Sequence, residues 1–346
     1  MYLRKIHLPI KAIIRATVFD HFCGGINEDD CLPIIDKMHL EGKVHSVLDY
    51  SVEGKEEEKS FDEALQKIIK ILYFCEEKKS IPFAVFKPSG FGRFALYQKI
   101  SEGKTLTSLE EEEWSRVKAR FHSVCKVAVE KDVPLLIDAE ESWMQDAADE
   151  LIEELMETYN SQKSVVFNTL QMYRHDRMFY LKALHKKAKE KGFHIGMKVV
   201  RGAYMEKERE RAEKYGYESP ICADKKTTDE NYDAAIRYMM DNSNMALFAG
   251  THNEESSYLV MDLAKKHQIN ESDSRLWFGQ LYGMSDHISF NLAHKGYNVA
   301  KYLPFGPVRD VMPYLIRRAE ENTSVAGQTS RELNLLKTER KRRKMP

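Results

Sequence analysis

The sequence predicts an α/β protein whose strands and helices close into one (β/α)8 barrel. Short apolar segments alternate with longer segments of helical period from residue 44 onward, and this alternation is typical of parallel strands joined by helices. The short segments number eight, which is the strand count of a closed barrel. No Pro-rich, Gly/Ser-rich or repetitive linker divides the series, so we predict a single barrel domain over residues 44–325.

The eight predicted strands are short and rich in β-branched and aromatic residues. They are VHSVLDY (44–50), PFAVFK (82–87), PLLIDA (134–139), SVVFNTL (164–170), FHIGMKVV (193–200), MALFAG (245–250), RLWFGQL (275–281) and VAKYLP (299–304). Between them, capping boxes at Ser60–Glu63 (SFDE) and Thr227–Glu230 (TTDE) predict two helix starts. A third helix is predicted from the apolar spacing of Trp114, Val117, Phe121, Val124 and Ala128.

The two ends of the chain are predicted to lie outside the barrel. Residues 1–43 are interpreted as an N-terminal helical arm, because four isoleucines keep a helical spacing. These are Ile6, Ile10, Ile13 and Ile14. Residues 326–346 form a basic tail that ends in KTERKRRKMP. A solvated end and a peripheral contact with an anionic membrane are the two interpretations of this tail.

The composition excludes several classes of partner. Lysine and arginine number 53 against 54 acidic residues, so no overall attraction to nucleic acid is predicted. The five cysteines are widely spread without a CxxC pair, which is typical of a reducing compartment such as the cytoplasm and does not indicate a metal site. No apolar run approaches the ~20 residues of a membrane span, so any membrane contact is expected to be peripheral.

Polar residues stand where nearly every predicted strand ends. In a (β/α)8 barrel the carboxyl ends of the strands meet at one mouth, which is where such barrels carry their chemistry. The strand-end residues are Asp49, Lys87, Asp138 with Glu140, Gln171, Lys198 with Arg201, Thr251, His252, Asn253, Gln280 and Tyr302. We therefore predict an active site assembled around this mouth. Asp49 is interpreted as an internal salt-bridge partner and is left out of the site.

The chemistry of the candidate site is cationic and aromatic. The sequence has no GxGxxG motif after a strand, no GxxxxGK[ST] motif and no GxSxG motif, which argues against a Rossmann fold, a P-loop and a nucleophile elbow. The cations and tyrosines that remain suit an anionic substrate beside a large planar ring system. They are Lys87, Lys198, Arg201, Arg317, Arg318, Tyr204, Tyr282, Tyr302 and Tyr314. The adjacent Arg317 and Arg318 form either a solvated helix face or a clamp for a carboxylate or phosphate.

Five motifs occur together at these strand ends. They are KVVRGAY (198–204), GTHN (250–253), FGQLYGM (278–284), KYLPFGP (301–307) and PYLIRRAEEN (313–322). In this order, with IDAEES (137–142) and TLQMY (169–173), they resemble the proline dehydrogenase family over roughly residues 44–325. The resemblance implies a distorted (β/α)8 barrel whose last helix lies over the mouth. It also implies FAD, here expected to be noncovalent, and oxidation of L-proline to Δ1-pyrroline-5-carboxylate by hydride transfer to flavin N5, with a quinone as electron acceptor.

The resemblance assigns roles by position. The substrate carboxylate is expected to be held by Lys87, Arg317 and Arg318. Leu281, Tyr302 and Tyr314 are expected to wall the substrate ring, with Asp138 as a supporting carboxylate. The expected cofactor-binding residues are Lys198 near flavin N5, Gln171, the turn of Arg201, Gly202, Ala203 and Tyr204, the trio of Thr251, His252 and Asn253, and Gln280.

Three positions depart from the pattern of the family's bifunctional bacterial members. Those members have arginine at the position of Lys198 and lysine at that of Arg201, so charge is kept while the guanidinium fork is exchanged. They have tryptophan at the position of Met205, so an adenine-stacking ring is lost. The expected location is cytoplasmic, or peripheral on the inner membrane, on the matrix side in a mitochondrion. A separate pyrroline-5-carboxylate dehydrogenase is an expected partner.

Two other enzymes remain as alternatives. A hydroxyproline dehydrogenase would perform the same chemistry, but Tyr302 would fill the space of the extra hydroxyl, where the hydroxyproline enzymes have a small residue. A barrel lyase or aldolase would use Lys87 or Lys198 as a Schiff-base amine. A scaffold that binds anionic partners through its basic tail would leave the polar strand ends unexplained.

Overall fold

The described part of the chain forms a closed barrel of eight parallel strands. The structure, a computed structural model, describes residues 19–50, 56–324 and 326–344. The strands pair in sequence order until the last joins the first. They are β1 (His45–Tyr50), β2 (Phe83–Phe86), β3 (Leu135–Ile137), β4 (Val166–Gln171), β5 (Ile195–Val200), β6 (Met245–Gly250), β7 (Leu276–Leu281) and β8 (Val299–Phe305). The prediction of a (β/α)8 barrel is confirmed.

Helices surround the barrel and connect its strands. They are α1 (Asp20–Phe22), α2 (Glu28–Gly42), α3 (Glu58–Glu77), α4 (Phe94–Ser101), α5 (Ser108–Glu130), α6 (Ser142–Tyr159), α7 (Arg177–Lys191), α8 (Met205–Tyr215), α9 (Lys225–Met240), α10 (Glu254–Lys266), α11 (Asp286–His294), α12 (Met312–Ser324) and α13 (Ala326–Lys344). A short 3-10 turn, Pro88–Gly90, follows β2 directly. Two helices follow β2 and two follow β5, so the units are not strict repeats.

Both predicted capping boxes are wrong, although both helices exist. Helix α3 begins at Glu58, so Ser60 lies inside its first turn; acidic residues upstream favour a helix start there through the helix dipole. Helix α9 has Asp224 as its N-cap, and the Asp224 side chain accepts from the Thr227 amide at 2.7 Å. Aspartate is a better N-cap than threonine, so the helix starts at Asp224, about one turn before the predicted Thr227. The third predicted helix is confirmed as α5.

Apolar side chains fill the interior of the barrel. The inner cluster consists of Val47, Phe83, Val85, Leu136, Phe167, Ala246, Phe248, Ala300 and Tyr302. Phe83 meets the rings of Phe167 and Phe248 edge-on, with centroids 5.8 and 5.3 Å away. Because successive side chains of a strand point to opposite faces, Tyr302 enters this cluster while its neighbour Leu303 packs in the outer core. Among the described residues of this cluster, the Tyr302 hydroxyl is the one polar side-chain group, and it bonds Lys198.

The described part of the N-terminal segment packs against the start of α12. One buried cluster contains Phe19, Phe22, Cys23, Val311, Tyr314 and Leu315. The Gly24 amide also donates to the Pro304 carbonyl of β8 at 2.8 Å. The four isoleucines from which the arm was predicted lie outside the described residues, and the boundary at residues 43 and 44 stays a prediction.

The basic tail is helical where the structure describes its backbone. Helix α13 spans Ala326–Lys344, and Lys341 to Lys344 are exposed. Glu339 accepts hydrogen bonds from Arg342 at 2.7 Å and from Arg343 at 2.9 Å. The division between barrel and tail stays a prediction. Among the helices described, none combines the length and the apolar composition that crossing a bilayer requires.

Candidate active site

Lys198 bonds residues that belong to or follow two other strands. It lies on β5, and its ammonium donates a short hydrogen bond to the Asp138 carboxylate, which follows β3. It donates another to the Tyr302 hydroxyl on β8 at 3.0 Å. All three were predicted site residues. Asp138 and Tyr302 are 60 and 104 positions away from Lys198 in the chain. The carboxylate compensates the charge of the buried ammonium, so Lys198 is a fixed cation.

Lys87 and Asp49 form a second charged pair at the mouth. The Lys87 ammonium is 3.9 Å from an Asp49 carboxylate oxygen. Burial raises the pKa of the Tyr302 hydroxyl well above its usual value, and the carboxylates of Asp138 and Asp49 raise it further. Both charged pairs therefore lie near the same phenol. Asp49 is a salt-bridge partner, as interpreted from the sequence. Its partner, however, is the predicted site residue Lys87. The position of Asp49 at a strand end was the signal by which it could have been included in the predicted site.

Arg201 ties the end of β5 to the end of β6. Its guanidinium donates to Asp229 at 2.6 Å, to Thr251 at 2.9 Å and to Ser256 at 3.0 Å. It also lies 4.4 Å from the centroid of the Tyr232 ring. The structure thus unites the predicted residues Arg201 and Thr251. Sequence reasoning missed Asp229 and Ser256, because a polar residue on a helix gives no sign of a partner on a distant strand.

His252 connects the ends of β6 and β7 with the start of α11. Its Nδ1 is 2.9 Å from the Ser285 hydroxyl oxygen, and its Nε2 accepts from the Leu281 amide at 3.4 Å. We therefore assign the ring proton to Nδ1. Burial lowers the pKa of His252 to about 3, and the cations Lys301 and Arg318 lower it further. The ring is neutral at physiological pH, and Arg318 of α12 acts electrostatically on the end of β6.

Asn253 and Gln280 are held by protein partners. Asn253 is the N-cap of α10, and its side chain accepts from the Ser256 amide at 3.1 Å. Gln280 donates to the Thr251 carbonyl at 3.0 Å and accepts from the Ser289 hydroxyl at 2.9 Å. Through these bonds the two side chains fix the backbone at the ends of β6 and β7. They were predicted to bind the cofactor, and that role stays a prediction.

Gln171 presents a buried acceptor at the end of β4. Its Nε2 donates to the Glu140 carbonyl at 2.8 Å. Its Oε1 is buried and has no hydrogen-bond partner among the residues that the structure describes. A buried polar atom of this kind is costly unless a ligand or water pairs with it. Gln171 is therefore the residue whose geometry most directly favours a polar ligand with a donor group, such as a flavin ring.

The turn after β5 leaves its backbone open to a ligand. Gly202 has a φ of 136°, and a Cβ there would lie 2.5 Å from the Tyr173 ring, so both conformation and space require glycine. Gly202 and Ala203 are exposed, whereas Tyr204 is buried. An exposed turn without side-chain bulk allows a cofactor to approach the main chain closely.

Helix α12 turns its arginines away from its exposed face. Ile316 is 50% exposed, whereas Arg318 is 6% exposed. The Arg318 guanidinium lies 5.2 Å from the centroid of the Tyr314 ring, and the Arg317 guanidinium lies 5.6 Å from that of Tyr204. The interpretation as a solvated face therefore does not hold for Arg318. Arg317 meets the predicted cofactor turn instead.

The remaining predicted site residue is Leu281. It lies at the end of β7 and packs against the inner cluster that contains Tyr302.

Within the described ranges, no three His, Cys, Asp or Glu side chains are grouped as ligands for a metal ion. The mouth therefore offers fixed cations, aromatic walls and a buried amide acceptor, which suit an anionic substrate and a polar-edged ring.

A family model described as proline dehydrogenase matches residues 32–331, which is most of the chain. The chain belongs to the proline dehydrogenase family. The match begins within α2, upstream of the predicted barrel boundary at residue 44. The predicted family is confirmed, and with it the class of enzyme, a flavin-dependent family of oxidoreductases.

Curated relatives resemble the chain over most of its length. Proline dehydrogenase 2, mitochondrial, of Arabidopsis thaliana is 32% identical over 376 residues, covering 96% of this chain and 79% of the relative. The carbapenem antibiotics biosynthesis protein CarD of Pectobacterium carotovorum subsp. carotovorum is 37% identical over 298 residues, covering 86% of this chain and 77% of the relative. Proline dehydrogenase 1, mitochondrial, of Homo sapiens is 37% identical over 241 residues, covering 68% of this chain and 40% of the relative.

Solved structures show the same fold. Proline utilization A from Bdellovibrio bacteriovorus, inactivated by N-propargylglycine, matches with a TM-score of 0.79 at 23% sequence identity. The match covers 92% of this chain and 34% of that protein, so the chain spans about a third of its length. Proline utilization A from Corynebacterium freiburgense matches with a TM-score of 0.74 at 20% identity, over 91% of this chain and 32% of that protein.

Proposed function

We propose that the chain oxidises L-proline to Δ1-pyrroline-5-carboxylate, with FAD bound noncovalently at the mouth of the barrel. Membership of the proline dehydrogenase family supports this reaction. The observation that carries the proposal is the Lys198 ammonium, held between Asp138 and Tyr302. It places a fixed cation beside a buried aromatic ring, at the point where a small cyclic substrate would meet a flavin.

The substrate carboxylate is the handle by which the ring is oriented. Lys87, Arg317 and Arg318 supply three positive charges, and Arg318 and Lys87 are largely shielded from solvent. A guanidinium fork matches both oxygens of a carboxylate, which fixes direction as well as distance. With the carboxylate held, Tyr302 and Leu281 limit how the five-membered ring can turn. Cδ, the ring carbon next to nitrogen on the side away from the carboxylate, is then directed at the acceptor.

The cofactor is proposed to lie over the ends of β4, β5 and β6. Gln171 fits this position because its buried Oε1 is an acceptor without a hydrogen-bond partner in the described part of the chain. The exposed turn at Gly202 allows close approach from the other side. Lys198 supplies a fixed positive charge near the flavin edge. When bound, FAD supplies the two-electron acceptor, and the protein supplies orientation and electrostatics.

Oxidation removes one hydride and one proton from proline. The hydride leaves Cδ, the ring carbon next to nitrogen that does not carry the carboxylate, and the nitrogen lone pair forms the new C=N bond. The N–H proton is released to solvent. The amine must be neutral for its lone pair to take part, so the reaction favours mildly alkaline pH. No protein base is needed in this scheme.

Hydroxyproline is the alternative substrate, and the position of Tyr302 argues against it. The Tyr302 ring packs edge-on against Phe248, with centroids 5.9 Å apart, and its hydroxyl accepts from Lys198 at 3.0 Å. Both ends of the side chain are therefore held. The ring cannot swing aside for an extra hydroxyl without breaking one of these contacts.

We further propose that electrons pass to a quinone and that the enzyme contacts a membrane peripherally. The mitochondrial names of the Arabidopsis and human relatives support an inner-membrane, matrix-side location if the host is eukaryotic; otherwise the cytoplasmic face is proposed. A separate pyrroline-5-carboxylate dehydrogenase is the proposed consumer of the product.

The reaction is tested on purified protein reconstituted with FAD. Anaerobic addition of L-proline is expected to reduce the flavin, which is measured as a loss of its visible absorbance. Acid precipitation is expected to release the yellow cofactor into the supernatant, because the cofactor is proposed to be noncovalent. Trans-4-hydroxy-L-proline is expected to reduce the flavin far more slowly. A colourless protein that is trapped on its substrate by borohydride would instead support the lyase or aldolase alternative.

A further inference from the structure

Glu140 binds the turn that directly follows Lys87. Its two carboxylate oxygens accept from the Ser89 amide at 2.8 Å and from the Ser89 hydroxyl at 2.6 Å. Ser89 belongs to the 3-10 turn that begins directly after Lys87. The Tyr97 hydroxyl donates to the Pro88 carbonyl of the same turn at 2.9 Å. Glu140 is 5% exposed, so both of its bonds are shielded from water, and both are charge-assisted when its carboxyl group is ionised.

The backbone of Glu140 is held by two glutamine side chains. Its amide donates to the Gln145 side-chain oxygen at 2.8 Å, and its carbonyl accepts from the Gln171 amide at 2.8 Å. Gln145 in turn donates to Asp149 at 2.8 Å, and Arg177 donates to the other Asp149 oxygen at 2.6 Å. This chain of bonds runs from α7 to the ends of β3 and β4 through buried residues.

We propose that Glu140 is a positioning residue that fixes the position of Lys87 relative to that of Gln171. Its side chain fixes the turn that carries the carboxylate-binding lysine. Its carbonyl holds the nitrogen of Gln171, which leaves the oxygen of that amide as the acceptor for the cofactor. The inference rests on the proposed function of Lys87 and Gln171, and it assigns Glu140 no contact with either ligand.

The test uses variants that weaken the grip and a control with the same chemistry elsewhere. Glu140→Gln offers one acceptor oxygen in place of two, and Ser89→Ala removes one donor with little change of shape. Asp273→Asn is the control, because Asp273 likewise accepts two hydrogen bonds, from the Arg275 amide at 2.9 Å and from the Arg275 guanidinium at 2.7 Å. Asp273 lies just before β7 begins and bonds neither the turn after Lys87 nor the backbone of Glu140.

Two readouts separate positioning from general destabilisation. Amide hydrogen exchange over residues 88–92 is expected to speed up about 10-fold or more in Glu140→Gln, and less in Ser89→Ala, because a charge-assisted bond is lost. In the FAD-loaded enzyme, the Kd of tetrahydro-2-furoate and the KM of proline are expected to rise about 10-fold, while kcat changes less than about 3-fold. Asp273→Asn is expected to stay within about twofold of wild type in both readouts.

The outcomes for the positioning role and for the reaction are distinct. A wild-type enzyme that neither binds the analogue nor is reduced by proline contradicts the proposed function, and the exchange data still decide whether Glu140 holds the turn. A wild type that binds, with exchange and analogue affinity unchanged in Glu140→Gln, overturns the positioning role. If Glu140→Gln does not fold, the same two measurements on Ser89→Ala decide.

Discussion

Arg317 and Arg318 are the residues on which substrate binding depends most strongly. If they hold the carboxylate, replacing either with methionine leaves a buried anion short of a charged partner. We expect a loss of about 2 to 5 kcal/mol, which is roughly 30-fold to several thousand-fold in kcat/KM. The measurement is a titration with tetrahydro-2-furoate, followed through the flavin spectrum, beside steady-state kinetics with proline.

The controls for this pair follow from its geometry. Arg→Lys at either position is expected to recover only part of the loss, since a point charge cannot reproduce a planar fork. Arg309→Met removes an exposed arginine just before α12 and is expected to change little. Bound FAD is expected to stay near wild type in all of these variants. Unchanged analogue affinity in both methionine variants would contradict the clamp.

Tyr302 decides between proline and hydroxyproline. Tyr302→Ser removes the ring and is expected to narrow the ratio of the two kcat/KM values by roughly 10-fold or more, mainly through poorer proline oxidation. Tyr302→Phe keeps the ring and removes only the hydroxyl that accepts from Lys198. It is expected to keep the wild-type discrimination. Equal turnover of both substrates by the wild type would show that Tyr302 does not set specificity.

Glu140 makes the stability of the protein depend on pH. Burial raises its pKa from 4.5 to about 7, so the folded state binds a proton between these values that the unfolded state has released. Stability from this group is therefore lost as pH rises from about 4.5 to 7. The upper limit is about 3 kcal/mol. Relative to wild type, Glu140→Gln is expected to gain in Tm from pH 5 to pH 8, and parallel Tm curves would contradict this.

The residues that touch the mouth were predictable, whereas the residues that hold them were not. Lys198 lies near the end of β5 and Asp138 directly follows β3, and parallel strands bring their ends together whatever the loops do. Tyr302 lies in the middle of β8, and its hydroxyl bonds Lys198. Ser285 and Ser89 reach the site through loop and turn conformations that the sequence does not reveal. Ser285, for example, bonds His252 from a left-handed backbone with a φ of 52°. Glu140 was noted as a strand-end residue, but its role depends on where Ser89 lies.

At the scale of elements, α12 depends on the N-terminal segment for its position. Phe22 and Phe19 pack against Tyr314 and Leu315 in one buried cluster. Replacing a buried phenylalanine with alanine removes about 3 to 5 kcal/mol of packing. Phe22→Ala is therefore expected to speed hydrogen exchange in α12 and to weaken analogue binding, while the barrel retains FAD.

Phe179→Ala is the matched control for this packing, because Phe179 is 80% exposed. It is expected to leave both exchange in α12 and analogue affinity unchanged. Exchange in α12 that is the same in Phe22→Ala and in wild type would show that the helix is held in place by the barrel alone.

Element types were more predictable than element boundaries. All eight strands lie within one or two residues of their predicted ranges, because each has its own apolar signal. The helix starts at Glu58 and Lys225 were missed, because several residues in each segment can cap a helix and only packing selects among them. The helical backbone of the tail was missed as well, since its polar composition carries no apolar period.

At the scale of the whole molecule, the positive charge of the last helix offsets an excess of acidic residues in the rest of the chain. Lysine and arginine number 53 against 54 acidic residues in the full chain. Residues 337–344 hold six of these cations and one glutamate, and Lys341 to Lys344 are exposed. The rest of the chain then holds 47 basic and 53 acidic residues, a formal net charge of −6. It therefore has no long-range attraction to an anionic bilayer, so peripheral binding to the membrane that holds the quinone is expected to depend on this segment.

Replacing Lys341, Arg342, Arg343 and Lys344 together with serine tests that dependence. Each basic residue near an anionic surface contributes about 1 kcal/mol, so binding to vesicles containing phosphatidylserine is expected to weaken by at most about 1,000-fold. The loss is expected to be smaller than this limit because Glu339 already pairs with Arg342 and Arg343.

The matched control replaces four exposed lysines of the body with serine and changes the net charge by the same amount. These are Lys59, Lys126, Lys186 and Lys226. Proline oxidation with a soluble dye is expected to be unchanged in both. Only the tail variant is expected to lose cosedimentation with the vesicles and oxidation coupled to a quinone dissolved in them. Equal loss in the two variants would mean that net charge, and not the tail, brings the enzyme to the membrane.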